Sequence, residues 1–241
     1  MEVTTRMVEV KGEGGKMPVY ECQPKGAGPF PAVIVVMEAF GLNTHIKDVA
    51  GRLAQEGYVT AAPDLYYREK ERVFPYSNLN AAVGAMNKLV DDKVMQDIGA
   101  VITYLTAQKN IRGERIGISG ICMGGRVTFL TACKHPQNIK AAVAFYGGGI
   151  AAGGPTPPLT FADKITCPIL CFFGDQDPLI PKDQVTKIDE TLKKLGKKYE
   201  VKVYPGATHG FFCNERPSYH KEVATDAWNK TREWFAKHLK A

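Results

Sequence analysis

The chain has 241 residues, 44% hydrophobic and 23% charged, the proportions of an ordinary globular protein and not those of a disordered or membrane-embedded one. A net charge of +6 points to a nucleic-acid partner only where basic residues gather on an exposed face. The densest run, Lys193-Lys194-Leu195-Gly196-Lys197-Lys198, reads instead as the solvated end of a helix, where lysines also suit the dipole. No apolar run approaches the roughly 18 residues that span a bilayer, and the polar start Met1-Glu2-Val3-Thr4-Thr5-Arg6 is unlike a signal peptide. A cytoplasmic protein with no membrane or nucleic-acid partner is expected. Its six cysteines are expected as free thiols, with Cys167 and Cys171 in the core.

Met7-Val8-Glu9-Val10 and Met17-Pro18-Val19-Tyr20-Glu21, joined through Gly12-Glu13-Gly14-Gly15, predict an N-terminal antiparallel hairpin. Ala32-Val33-Ile34-Val35-Val36-Met37 is a continuous β-branched run, the pattern of a strand buried on both faces of a largely parallel sheet. Glu38-Ala39-Phe40-Gly41 follows at its carboxyl end. Ile46, Val49, Ala50 and Leu53 share one helix face, and Tyr58-Val59-Thr60-Ala61-Ala62 is the next strand. Pro63-Asp64-Leu65-Tyr66-Tyr67-Arg68 closes that unit, and residues 69 to 80 read as an irregular surface excursion bordering a site.

A long amphipathic helix carrying Val94, Ile98, Val101, Ile102 and Leu105 leads into Arg115-Ile116-Gly117-Ile118-Ser119-Gly120-Ile121-Cys122-Met123-Gly124-Gly125. That stretch reads as a buried strand, a sharp turn and a helix start. Its Gly120-x-Cys122-x-Gly124 spacing is that of a nucleophile elbow, with a thiol where a serine is usual. Then come the strand Ala141 to Tyr146, a Gly/Pro-rich loop over 153–158, the strand Pro168 to Phe173 and the turn Gly174-Asp175-Gln176-Asp177-Pro178. A helix with Val185, Ile188, Leu192 and Leu195 on one face precedes the last strand, Tyr199 to Tyr204. A final helix is expected to pack Val223, Ala227, Trp228, Trp234, Phe235 and Leu239. The alternation implies one α/β domain over residues 1–241, with a mostly parallel central sheet covered by helices on both faces. In such sheets ligands bind at the carboxyl ends of the strands, and Glu38, Cys122, Asp177 and His209 each follow a predicted strand end.

A thiol attacks as its thiolate, which a helix N-terminus favours and a base must generate. His209, in Gly206-Ala207-Thr208-His209-Gly210-Phe211, is the candidate base, and Asp177 the candidate orienting acid with Asp175 in reserve. Taken singly, a cysteine in a Gly-rich turn, a loop histidine and an Asp-Pro turn are each compatible with a purely structural role. Together they stand in the order of an α/β-hydrolase triad: nucleophile, acid, histidine. No HExxH-like spacing, GxGxxG fingerprint or P-loop is present, so neither metal nor cofactor is expected.

At these motifs, Gly120-Ile121-Cys122-Met123-Gly124-Gly125, Glu38-Ala39-Phe40-Gly41, Pro63-Asp64-Leu65-Tyr66 and His209-Gly210-Phe211, the chain resembles the dienelactone hydrolases (carboxymethylenebutenolidases) over nearly its whole length. The resemblance implies an α/β-hydrolase fold without a large cap domain, and a Cys122, Asp177, His209 triad. It also implies that Glu38, which alone would pass for a solvated loop residue, contacts and gates the thiol. The oxyanion donors it implies are the backbone N–H groups of Ala39 and Met123. Family members hold a substrate carboxylate with arginines. One of those positions, four residues past the triad histidine, is Cys213 here, leaving Arg216, Arg68 and Arg72 as candidates. Phe40, Tyr146 and Phe211 are candidates to wall a substrate pocket. The expected protein is a monomeric or homodimeric cysteine hydrolase of small esters or enol-lactones. The alternatives are a thiol-redox or peroxide-sensing protein using Cys122, and a noncatalytic binding module on the same scaffold.

Overall fold

In the computed structural model, which describes residues 1–154 and 156–240, the first element is the expected hairpin. It is longer than its sequence pattern suggested: β1 (Val3–Gly12) and β2 (Gly15–Pro24) pair from Val3 with Pro24 to Gly12 with Gly15. Its two-residue loop is anchored from outside, since Glu13 N–H donates to Asp97 Oδ1 (3.1 Å) and Gly14 N–H to the Tyr67 hydroxyl oxygen (2.8 Å). β3 (Phe30–Val36) is the apolar run, buried throughout after Phe30. β4 (Val59–Pro63) pairs parallel with β3 and antiparallel with β2, giving the order β1-β2-β4-β3.

Two compact units divide the chain, Met1–Ile118 and Ser119–Ala241. In the first, α1 (Thr44–Gln55) buries Ile46, Val49, Ala50 and Leu53 against β2, β3 and β4, and α3 (Asp91–Thr106) lies on β1 and β4. Between them in the chain comes α2 (Leu79–Met86), whose first two residues fall in the expected irregular stretch 69–80. Only Ala82 and Ala85 of α2 are buried, so no apolar stripe advertises it; its start is marked by Asn78, whose side chain accepts from Ala81 N–H.

β5 (Ile111–Ile121) ends the first unit and opens the second. There α4 (Met123–Lys134), β6 (Ile139–Phe145), β7 (Ile169–Gly174), α5 (Lys182–Lys194), β8 (Tyr199–Tyr204) and α6 (Lys221–Phe235) follow, with β6-β7-β8 all parallel. α4 and α6 both pack on β6. Of the expected 153–158 loop, Pro155 lies outside the described residues; a 3-10 helix, Pro158–Lys164, follows it. Two expectations change at the helix ends. α5 stops at Lys194, so Leu195 is exposed, and Trp228 and Trp234 are only half-buried on α6. Cys167 and Cys171 are buried, and all six cysteines are free thiols.

The first unit also buries a charge. Glu21 is fully buried on β2, and burial alone raises its proton affinity. Hydrogen bonds from Tyr104, Arg6, Gln108 and Gln23 outweigh that and hold the carboxyl below its ordinary 4.5. Tyr104, Arg6 and Gln23 lie at 2.7 Å and Gln108 at 3.1 Å. A carboxyl lowered by folding contributes stability above its unfolded value and loses it as pH falls through the folded one. Glu21→Gln is therefore expected to cost roughly 1–3 kcal/mol in urea melts near neutrality and to flatten the loss of stability between about pH 5 and pH 3. An acid slope unchanged from the parent would refute the assignment.

Candidate active site

Cys122 caps the N-terminus of α4 with φ 57 and ψ −116, a region that side-chain-bearing residues rarely enter. The turn is held from several sides. Cys122 N–H donates to Phe145 O at the end of β6 (3.0 Å), and Cys122 O accepts from Gly125 N–H (2.9 Å) and Arg126 N–H (3.3 Å). A Cβ at Gly120 would overlap the Gly124 carbonyl, and one at Gly125 would press on Phe145 O. Gly120 and Gly125 are thus required by close backbone approach.

The other two residues reach the thiol from the ends of later strands. Asp177 stands after β7 and His209 after β8, both nearly fully buried. His209 Nδ1 meets Asp177 Oδ2 at 2.8 Å, and His209 Nε2 meets Cys122 Sγ at 3.1 Å. Asp177 Oδ1 accepts from Leu179 N–H (2.9 Å), which fixes the carboxylate plane. Asp175 turns elsewhere, accepting from Gly206 N–H in the turn before His209 (2.7 Å). The Nδ1 contact assigns the ring proton to the Asp177 side and leaves Nε2 facing sulfur.

Burial alone lowers the His209 value. Interaction with the Cys122 sulfur and with Asp177 outweighs it and raises the ring to about 10. Such an arrangement favours the protonated ring. Tyr146, at a second positive φ (33), lies edge-on to the imidazole with ring centres 4.9 Å apart, and Phe211 packs edge-on against Tyr146 at 4.9 Å.

In the first unit, Glu38 is fully buried just past β3. Its Oε1 accepts from Asn43 Nδ2 (2.9 Å) and from the Tyr76 hydroxyl. Phe40 packs against the Tyr76 ring (4.7 Å), and the Ala39 carbonyl accepts from the buried Tyr66 hydroxyl (2.9 Å). The candidate arginines separate. Arg68 grips both oxygens of buried Asp97 (2.7 and 3.1 Å) and Glu13 (2.9 Å), and Arg72 pairs with Asp64 (3.0 Å). Arg216 instead lies against Gly210, next to His209. Asn43 and Tyr76 were not singled out in the sequence. Asn43 carried the signal of an N-cap, whereas Tyr76, in an aperiodic segment, carried none.

Among the described residues no group of three or more His, Cys, Asp or Glu side chains is arranged to hold a metal ion, and no helix is long and apolar enough to cross a membrane. The model of the dienelactone hydrolase family matches residues 17–239. The chain belongs to that family. A Synechocystis protein named "Putative carboxymethylenebutenolidase" is 35% identical over 100% of this chain and 99% of its own length. An Escherichia coli protein of the same name is 37% identical over 98% and 88%. The crystal structure of a "Putative Dienelactone Hydrolase" from Klebsiella pneumoniae superposes with a TM-score of 0.90 at 36% identity, covering 99% of this chain and 100% of that one. This dienelactone hydrolase family member accordingly has the α/β-hydrolase fold and is a hydrolase of ester or lactone bonds.

The raised His209 value ties folding to pH. The folded state keeps a proton that the unfolded chain releases above about 6.5, so this contribution is complete below 6.5 and fades as pH climbs towards about 10. In Cys122→Ala, with the sulfur gone, the His209 ring titration followed by NMR is expected at clearly lower pH than in the parent. An unchanged titration would show that the thiol does not set it.

Proposed function

We propose that the chain is a cysteine-dependent hydrolase of small esters or enol-lactones, acting through Cys122, His209 and Asp177 and a covalent acyl-enzyme. The observation that carries the reading is the continuous line from Asp177 through His209 to the Cys122 sulfur, with contacts of 2.8 and 3.1 Å. Residues 1–241 act in it as one catalytic domain, with no cofactor. The free state of all six cysteines supports a reducing compartment, the cytoplasm.

In the proposed cycle Glu38 holds the neutral thiol at rest and takes its proton when substrate arrives. The thiolate adds to the carbonyl carbon, and the resulting oxyanion is met by the backbone N–H groups of Met123 and Ala39, each donor worth on the order of 3 kcal/mol in the transition state. Collapse breaks the carbon–oxygen ester bond, and the imidazolium of His209 protonates the leaving alkoxide. The neutral ring then deprotonates a water that attacks the thioester. The departing thiolate recovers its proton from Glu38, and the product acid leaves ionised. Tyr146 and Phe211 provide apolar walls beside His209, and Phe40 one beside Glu38.

Arg68 and Arg72 are engaged by carboxylates of the chain itself; Arg216 is the proposed contact for a carboxylated substrate because it lies beside the His209 turn. Arg216→Gln is expected to lower kcat/KM for dienelactone about tenfold, the scale of one charge-assisted contact, while a neutral aryl ester changes by less than about twofold. Equal losses on both would dismiss the contact.

Cys122→Ala is expected to abolish turnover of p-nitrophenyl acetate while thermal melting stays cooperative. Retained turnover would overturn the mechanism. Steady peroxide consumption by the parent, with no acyl-enzyme detected by mass spectrometry, would favour the thiol-redox alternative.

A further inference from the structure

The segment 72–76 is strapped onto the 38–41 turn. Arg72 is tied to Asp64, Val73 bridges to Gly41, Phe74 N–H donates to Phe40 O (3.0 Å), and the Tyr76 ring meets Phe40 edge-on. A Cβ at Gly41 would overlap the Arg72 carbonyl, so the two stretches approach as closely as backbone allows. Tyr76 is thereby delivered to Glu38.

The hydrogen bonds that meet there have a fixed direction. Asn43 Oδ1 accepts from Ile46 N–H as the cap of α1 (3.1 Å), so its amide can face only one way and Nδ2 must donate. Nδ2 donates to Tyr76 oxygen (3.0 Å) and to Glu38 Oε1 (2.9 Å). With its oxygen already accepting, the Tyr76 hydroxyl turns its proton to the same Glu38 Oε1. Two donors on one buried carboxylate oxygen favour the ionised form and fix the plane of the group.

We propose that Tyr76, with Asn43, is a positioning residue for Glu38, holding its carboxylate ionised and fixed in plane for the proton-accepting role proposed above. The inference rests on the gating role given to Glu38 above. It makes the 72–76 strap part of the catalytic apparatus without contact to the reacting atoms.

A double-mutant cycle on the full-length protein tests it, with p-nitrophenyl acetate turnover and the iodoacetamide alkylation rate of Cys122 as readouts. Tyr76→Phe is expected to lower kcat and the alkylation rate about tenfold with little change in KM, the effect of losing one hydrogen bond to a charged group. In a Glu38→Gln background the same replacement is expected to cost less than about twofold, because the group it positions is gone. Asn43→Ser, which keeps an oxygen to cap α1, is expected to show the same pattern with a smaller loss. Equal losses in both backgrounds, or a rise in KM alone, would overturn the inference while leaving Glu38 in place. A Glu38→Gln protein with parental kcat and alkylation rate would remove the gating role itself, and the inference with it.

Discussion

The backbone of Cys122 is the constraint on which the second unit is built. A φ of 57 at a side-chain-bearing residue costs on the order of 1–3 kcal/mol and persists only where its surroundings over-determine it. Here the strand before it, the helix after it and the carbonyl of Phe145 do so together. The strain does work: it lifts Sγ off the sheet into reach of His209 and sets the first amides of α4 behind it. Its neighbour on β6 shares the cost, for the carbonyl that accepts from Cys122 N–H belongs to the residue before Tyr146, the other non-glycine residue at positive φ among those described. Tyr146 N–H in turn donates to Phe172 O on β7 (2.7 Å). Cys122 and the Tyr146 ring beside His209 are thus fixed by one continuous ladder from elbow to β7.

Much of this was legible before any coordinates. The β-branched run of β3 could only be a strand buried on both faces, and the helix faces of α1 and α3 were spelled out by apolar residues three and four apart. The elbow was legible because Gly120 and Gly125 are dictated by collision, which no other residue type can avoid. The Gly174 turn offered two carboxylates, and the sequence alone could not separate them. Position after β7 separates them: Asp177 is buried against His209 and Asp175 faces the exposed turn at Gly206.

What the sequence could not show was which charges the protein spends on itself. Arg68 and Arg72 sit in a stretch that borders Glu38, and residue type alone made them fit for a substrate carboxylate. Arg68's partners, Asp97 on α3 and Glu13 in the hairpin loop, are distant in sequence, and nothing in the motif that holds Asp64 marks it as the partner of Arg72. Asp97 explains the demand: a fully buried carboxylate needs a cation and further donors, and it collects Arg68, the Tyr67 hydroxyl and Glu13 N–H. α2 escaped notice for the opposite reason, since it buries two alanines and leaves no periodic trace.

The same economy bears on why a thiol can serve where a serine is usual. An imidazole raised to about 10 by the sulfur and the carboxylate carries its proton at neutral pH. It is well suited to stand beside a thiolate, whose intrinsic acidity asks less of a base. A second carboxylate that can take the thiol proton then removes the conflict between a protonated ring and an unprotonated nucleophile. Buried Glu38, with its charge stabilised by two donors on one oxygen, has the chemistry for that part. On the proposed reading, a serine at the elbow would offer Glu38 no readily released proton, since an alcohol is far less acidic than a thiol.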